Sequence, residues 1–88
     1  MKKHILKGIA QTRECFLDGE RLPVEPSLKV HKHSPDGFSW GYSGSGPSQL
    51  ALAVMLKING KPDGYMDFKF NHIAQLPMNN DFTYDFYL

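Results

Sequence analysis

The stretch that decides the fold is residues 44–60, GSGPSQLALAVMLKING. From residue 49 to residue 58 nearly every side chain is apolar, and Lys57 carries the only charge. Projected at 100° per residue, these apolar side chains cover almost the whole circumference of a helix, and such a helix must be covered on more than one side. The sequence therefore predicts a central helix, buried between a sheet and a second helix.

The residues on either side of this segment predict where the helix begins and ends. Pro47 suits the first helical position, with Ser45 or Gly46 as the N-terminal cap. Asn59 and Gly60 supply the C-terminal stop, because helices commonly end at a residue in the left-handed conformation.

The N-terminal part of the chain is interpreted as short strands. Arg13–Leu17 and Glu20–Leu22 flank Asp18-Gly19, a pair that suits a two-residue hairpin turn. Two more strands are predicted over residues 28–33 and 38–43, because apolar and polar side chains alternate there, and residues 5–9 could add another.

A second helix is predicted from Pro62 or Gly64 to Leu76, ended by Pro77. Helical spacing gives it a solvent stripe of Asp67, Asn71 and Gln75 and an opposite, apolar side of Tyr65, Met66, Phe70, Ile73 and Leu76. Residues 82–88 alternate again and predict a last strand, with a short helical turn as the alternative.

These elements together predict an α+β fold, with a mainly antiparallel sheet of three to five short strands packed on two helices. Eighty-eight residues are enough for one domain and too few for two, so residues 1–88 are expected to form a single domain. Apolar residues make up 41% of the chain and charged residues 22%, which favours a folded domain over a disordered chain.

Charge and cysteine content bear on partners and location. A net charge of +1 provides no field that would recruit nucleic acid or an anionic membrane from a distance. The single cysteine, Cys15, excludes an intramolecular disulfide and fits a reducing compartment. No apolar run approaches the length of a membrane span. We therefore expect a cytoplasmic protein with no membrane association.

Residues 37–53 read GFSWGYSGSGPSQLALA. This run resembles the signature GFxWGYxGSGPxQLALA of DUF6166, a family of small uncharacterised bacterial and phage proteins. The resemblance extends to residues 18–22, 67–69, 73–77 and 81–83, with Phe82 where a Trp is common in the family. It implies a bacterial or phage source, and it implies no particular activity.

The loop before the central helix is the most unusual feature of the sequence. Its glycines permit close backbone approach, and free amides at Ser48 and Gln49 are expected at the helix N-terminus, where they and the helix dipole attract anions. The candidate anion-binding residues are therefore Gly44, Ser45, Gly46, Ser48 and Gln49. The alternative is structural, since the loop contains no Lys or Arg and its glycines would let Trp40 and Tyr42 pack under the helix.

We find no catalytic or metal-binding signature and expect no cofactor. The loop lacks both the final glycine of a GxSxG motif and the lysine of a phosphate-binding loop. Cys15 has no basic neighbour beyond Arg13 and is expected to be a buried apolar side chain. His31 and His33 have the spacing of half a zinc site, but two solvated histidines are the favoured interpretation.

The function that the sequence favours is a non-catalytic binding or regulatory module acting through protein–protein contacts. A sheet face or edge would be the partner surface. The aromatic tail, residues 82–88, could cover the core or pair with another chain by strand addition, and core covering is favoured for Phe82 and Tyr84. The alternative is a weak nucleic-acid or phosphate binder that uses the glycine-rich loop.

Overall fold

The computed structural model describes all 88 residues. The elements, in chain order, are β1 Lys3–Ile9, β2 Glu14–Leu17, β3 Glu20–Arg21, α1 Glu25–Val30, α2 Ser45–Asn59, α3 Tyr65–Asn71 and β4 Phe82–Tyr87. A short 3-10 turn, Ile73–Gln75, follows α3. The strands form one antiparallel sheet in the order β3-β2-β1-β4. The predicted α+β class is confirmed, with one more helix than expected.

The sheet is built around β1, whose side chains alternate between the core and solvent. The predicted hairpin joins β2 to β3 through Asp18 and Gly19, both with positive φ, as a two-residue hairpin turn requires. β4 pairs with β1 in an unbroken register from Lys3↔Tyr87 to Gly8↔Phe82. The tail is therefore the last strand, as predicted, and the alternative of a helical turn is wrong.

α2 is the central helix that the sequence predicted. Every residue from Gly46 to Met55 is buried, α1 and α3 both contact the helix, and its side chains share one core with the inner face of the sheet. It ends at Gly60, as predicted. The predicted cap is wrong, because Gly44 is the N-cap and the helix already begins at Ser45. Neither α2 nor any other helix is long and apolar enough to cross a membrane.

The strand predicted over residues 28–33 is wrong, because residues 25–30 form α1. Pro26 lies in the first turn of this helix, where its missing N–H costs nothing. The hydroxyl of Ser27 donates to the carbonyl of Val24 and holds that turn. Six residues make fewer than two helical turns, so the apolar pattern could not distinguish a helix from a strand.

The strand predicted over residues 38–43 is also wrong, since this segment has no regular secondary structure. Phe38 and Trp40 are buried, but Tyr42 is exposed, so the expected aromatic face is incomplete. The edge strands of the sheet are β3 and β4, and neither of them pairs with this segment.

The second predicted helix is interrupted. α3 ends at Asn71, and His72 departs from helical geometry with φ −128° and ψ −61° before the 3-10 turn begins. The predicted solvent stripe is exposed throughout. The opposite face differs from the prediction, because Met66 and Phe70 are 39% and 48% exposed whereas Lys69 is only 5% exposed.

Candidate functional site

Gln49 is fully buried in α2 and uses both ends of its side-chain amide. Its Oε1 accepts hydrogen bonds from the amides of His33, at 2.7 Å, and Ser34, at 2.9 Å. Its Nε2 donates to the Ser27 hydroxyl, at 2.8 Å, and to the His31 carbonyl, at 3.0 Å. A primary amide offers two donors and one acceptor oxygen with two lone pairs, so its bonding capacity is filled. Gln49, a predicted anion-binding residue, instead ties α1 and the segment after it to α2.

The other predicted anion-binding residues lie together at the start of α2. Both the amide and the hydroxyl of Ser48 donate to the Gly44 carbonyl, at 3.1 Å and 3.0 Å. The expectation of a free amide at Ser48 is therefore wrong, because α2 begins earlier than predicted. Gly46 is buried so tightly that an added Cβ would lie 1.7 Å from the Ser39 hydroxyl oxygen, and Ser45 is exposed. This packing supports the structural alternative for the loop.

Trp40 and Gly41 form hydrogen bonds that link the same loop to the C-terminal part of the chain. The buried indole of Trp40 donates from Nε1 to the Asn80 carbonyl at 3.0 Å, and the Gly41 amide donates to the Ile73 carbonyl at 3.0 Å. Gly41 has φ +85°, and a Cβ there would lie 2.5 Å from the backbone of Met78. The position therefore requires glycine on two counts, conformation and close approach.

A group of donor side chains lies where the segment after α1 meets α3, and we call it the basic cluster: His31, His33, Tyr65 and Lys69. The imidazole rings of His31 and His33 stack with their centroids 4.1 Å apart, and His33 Nε2 shares a 2.9 Å hydrogen bond with the Tyr65 hydroxyl. Burial, together with the charges of His31 and Lys69, lowers the pKa of His33. His31 is exposed as predicted, whereas the predicted solvation of His33 is wrong because it is half-buried.

The structure brings no further metal ligand to these histidines. No group of three or more His, Cys, Asp or Glu side chains lies close enough together to hold a metal ion.

A second histidine site lies at the β2–β3 turn. The buried His4 donates from Nδ1 to Asp18 at 2.7 Å, and the amide of Ile5 donates to the same carboxylate at 2.9 Å. Both hydrogen bonds lower the pKa of the Asp18 carboxyl, and the one from His4 has the larger effect. The adjacent cavity of about 400 Å³ is lined by no Ser, Thr, Tyr or Cys, so the pair has no hydroxyl or thiol nucleophile beside it. Its geometry suits closing the turn onto β1.

Cys15 is a fully buried side chain, as the sequence predicted. Burial raises the pKa of its thiol to about 12, against a smaller opposite effect of Arg13. Since the thiolate is the reactive form, this cysteine is unsuited to nucleophilic chemistry.

The outer edge of β4 carries a row of backbone groups that pair with no other strand. Lys2 and Leu88 exchange two backbone hydrogen bonds. Because hydrogen-bonded pairs alternate along an antiparallel ladder, the residues of β4 whose backbone groups bond to β1 are Phe82, Tyr84 and Phe86. The backbone N–H and C=O groups of Thr83, Asp85 and Tyr87 therefore point away from the sheet. None of them has a hydrogen-bond partner, and all three residues are exposed. We call this surface the β4 edge.

Comparison with known proteins places the chain in a family without assigning it an activity. Neither the curated proteins nor the solved structures contain a significant match. The model of DUF6166, a family of unknown function, matches residues 6–85 and thus nearly the whole domain, including the basic cluster and most of the β4 edge. The chain therefore belongs to the DUF6166 family of unknown function.

Proposed function

We propose that this protein is a non-catalytic binding module that recruits a partner protein by adding an extended segment of the partner to its sheet along β4. The observation that carries the proposal is the row of unpaired backbone donors and acceptors at Thr83, Asp85 and Tyr87. In strand addition such groups bond to the incoming segment and give affinity, while alternate side chains give specificity.

The two edges of the sheet differ in how they are protected. Natural edge strands are usually blunted by shortness, proline, charged side chains (above all lysine) or a bulge. β3 has only two residues and is blunted by its shortness. β4 has six residues, about 20 Å of strand, with no proline, no lysine and an unbroken register, and its one charged side chain, Asp85, forms an ion pair with Lys3 of β1. Tyr87, which is 58% exposed, adds an aromatic contact beside the open backbone.

A second copy of the chain fits this edge poorly. Two β4 strands related by a two-fold axis and using all three outward-facing residues would place Asp85 directly opposite Asp85 of the second copy. Like charges directly opposite each other destabilise an antiparallel pair. The exposed ion pair of each Asp85 with its own Lys3 offsets only part of this repulsion. A segment of a different protein avoids it, so we infer a heterologous partner.

Affinity capture with edge variants tests the proposal. The Thr83 amide points away from β1, so Thr83→Pro removes an outward donor and leaves the ladder to β1 in place. Thr83→Val is the matched control, because it keeps the amide. We expect a nuclease-resistant protein partner that the wild type and Thr83→Val retain from a lysate of the source organism and that a folded Thr83→Pro variant loses.

Two results would contradict the proposal. Equal recovery with Thr83→Pro would show that the partner binds elsewhere. Recovery that nuclease abolishes would favour the nucleic-acid alternative instead.

A further inference from the structure

Lys69 has an environment unlike that of the other lysines. It is 5% exposed, although lysine is almost never buried without a partner. Its ammonium lies 4.0 Å from the centroid of the Phe70 ring, but it forms no salt bridge and no hydrogen bond, whereas Lys3 and Lys57 pair with Asp85 and Glu20. No fully buried polar side-chain atom lacks a partner, so the Lys69 Nζ reaches the protein surface with unused donors.

The side chains grouped with Lys69 are donors, and none of them carries a negative charge. Tyr65 lies one helical turn before Lys69 on α3, on the same face, and its hydroxyl is bonded to His33. The positive fields of His31 and Lys69 both act on His33, and no carboxylate forms an ion pair with any member of the basic cluster.

The cluster is also held in place before any ligand arrives. The Gln49 side chain bonds the backbone of both His31 and His33, and the Tyr65 hydroxyl fixes the His33 ring. Groups that are already ordered lose less freedom on binding, which favours affinity.

We propose that the basic cluster binds the phosphate group of a small molecule, with Lys69 as the principal charge, His31 and the Tyr65 hydroxyl as further donors, and His33 donating from Nε2 to the Tyr65 oxygen so that the hydroxyl proton is free for the ligand. A phosphate group is compact and carries several acceptor oxygens, and ammonium, imidazole and phenol groups donate to such oxygens. A metal ion fits poorly, because the Lys69 charge repels a cation. This site is separate from the β4 edge, so either proposal can fail without the other.

The test is an NMR titration with inorganic phosphate, compared with chloride at matched ionic strength. We expect saturable shifts of the amide resonances of His33, Tyr65 and Lys69. Lys69→Met keeps an apolar stem in the buried position and should weaken phosphate binding about tenfold or more, because hydrogen bonds to charged groups are among the stronger ones. The matched control Lys61→Met, at an exposed lysine, should bind as the wild type does.

Two further titrations identify the kind of molecule that carries the phosphate group. A nucleoside monophosphate and O-phosphoserine are titrated alongside inorganic phosphate, and tighter saturable binding of either at the same resonances would name the class of ligand. If Lys69→Met does not fold, Tyr65→Phe removes one donor with little change in shape and should still weaken binding measurably. Shifts that follow ionic strength alone, unchanged affinity in a folded Lys69→Met or Tyr65→Phe variant, or binding of an oligonucleotide only would overturn the proposal.

Discussion

Gln49→Leu removes the central hydrogen-bonding side chain of the fold while keeping its approximate size. The amides of His33 and Ser34, the carbonyl of His31 and the hydroxyl of Ser27 would then all lose a partner. An orphaned buried polar group costs about 1–3 kcal/mol. Only the bond to Ser27 is fully buried, and water can replace part of the other three. We therefore expect the free energy of unfolding to fall by about 3–5 kcal/mol, out of the roughly 4–13 kcal/mol typical for a domain of this length.

Urea denaturation measures this loss directly, with Gln75→Leu as the matched control at an exposed glutamine. The control should change the free energy of unfolding by less than about 0.5 kcal/mol. In thermal denaturation a loss of 3 kcal/mol would lower the Tm of Gln49→Leu by about 12–24 °C. A difference of less than about 1 kcal/mol between the two variants would refute the reasoning, because the four bonds would then contribute almost nothing net.

Three further predictions follow from burial and backbone geometry. Val54→Asp places an unpaired charge in the core and should abolish the folded circular dichroism spectrum, whereas Asp67→Ala at an exposed position should leave the melting temperature almost unchanged; similar spectra and melting temperatures for both would contradict the burial. Gly41→Ala should lower the melting temperature more than Gly19→Ala, because both positions have positive φ but only at Gly41 does a Cβ collide with backbone. Burial lowers the pKa of His72, so as the pH falls the unfolded chain binds a proton at this histidine before the folded protein does. The free energy of unfolding should therefore decrease as the pH drops below about 6.5, and it should decrease less steeply in His72→Gln. An identical pH dependence in that variant would count against this assignment.

The parts of the fold that the sequence predicts are those with long or locally determined patterns. α2 repeats its apolar residues over several turns, and the Asp18-Gly19 turn specifies its hairpin locally. α1 is too short for its period to be measured. Residues 38–43 have the alternation of a strand, but they pair with neither edge strand of the sheet.

The candidate sites depend on contacts between distant segments, which one-dimensional patterns do not contain. His33 lies 16 residues from Gln49 and 32 from Tyr65. The sequence patterns single out His33 and Gln49, but they do not predict that the two residues are in contact. Lys69 is absent from the predicted apolar face, although its i, i+4 spacing from Tyr65 places both residues on one face of α3. The alternation of residues 82–88 predicts β4, but not that this strand is left at an edge.

Amide hydrogen exchange along β4, in the free protein and in the complex with a captured partner, tests the central claim most directly. In the free protein the amides of Tyr84 and Phe86 should exchange slowly, because they face β1, and those of Thr83, Asp85 and Tyr87 should exchange fast. Strand addition predicts that the partner slows exchange at these three amides specifically. Fast exchange retained at all three, with new protection confined to another surface, would contradict the account.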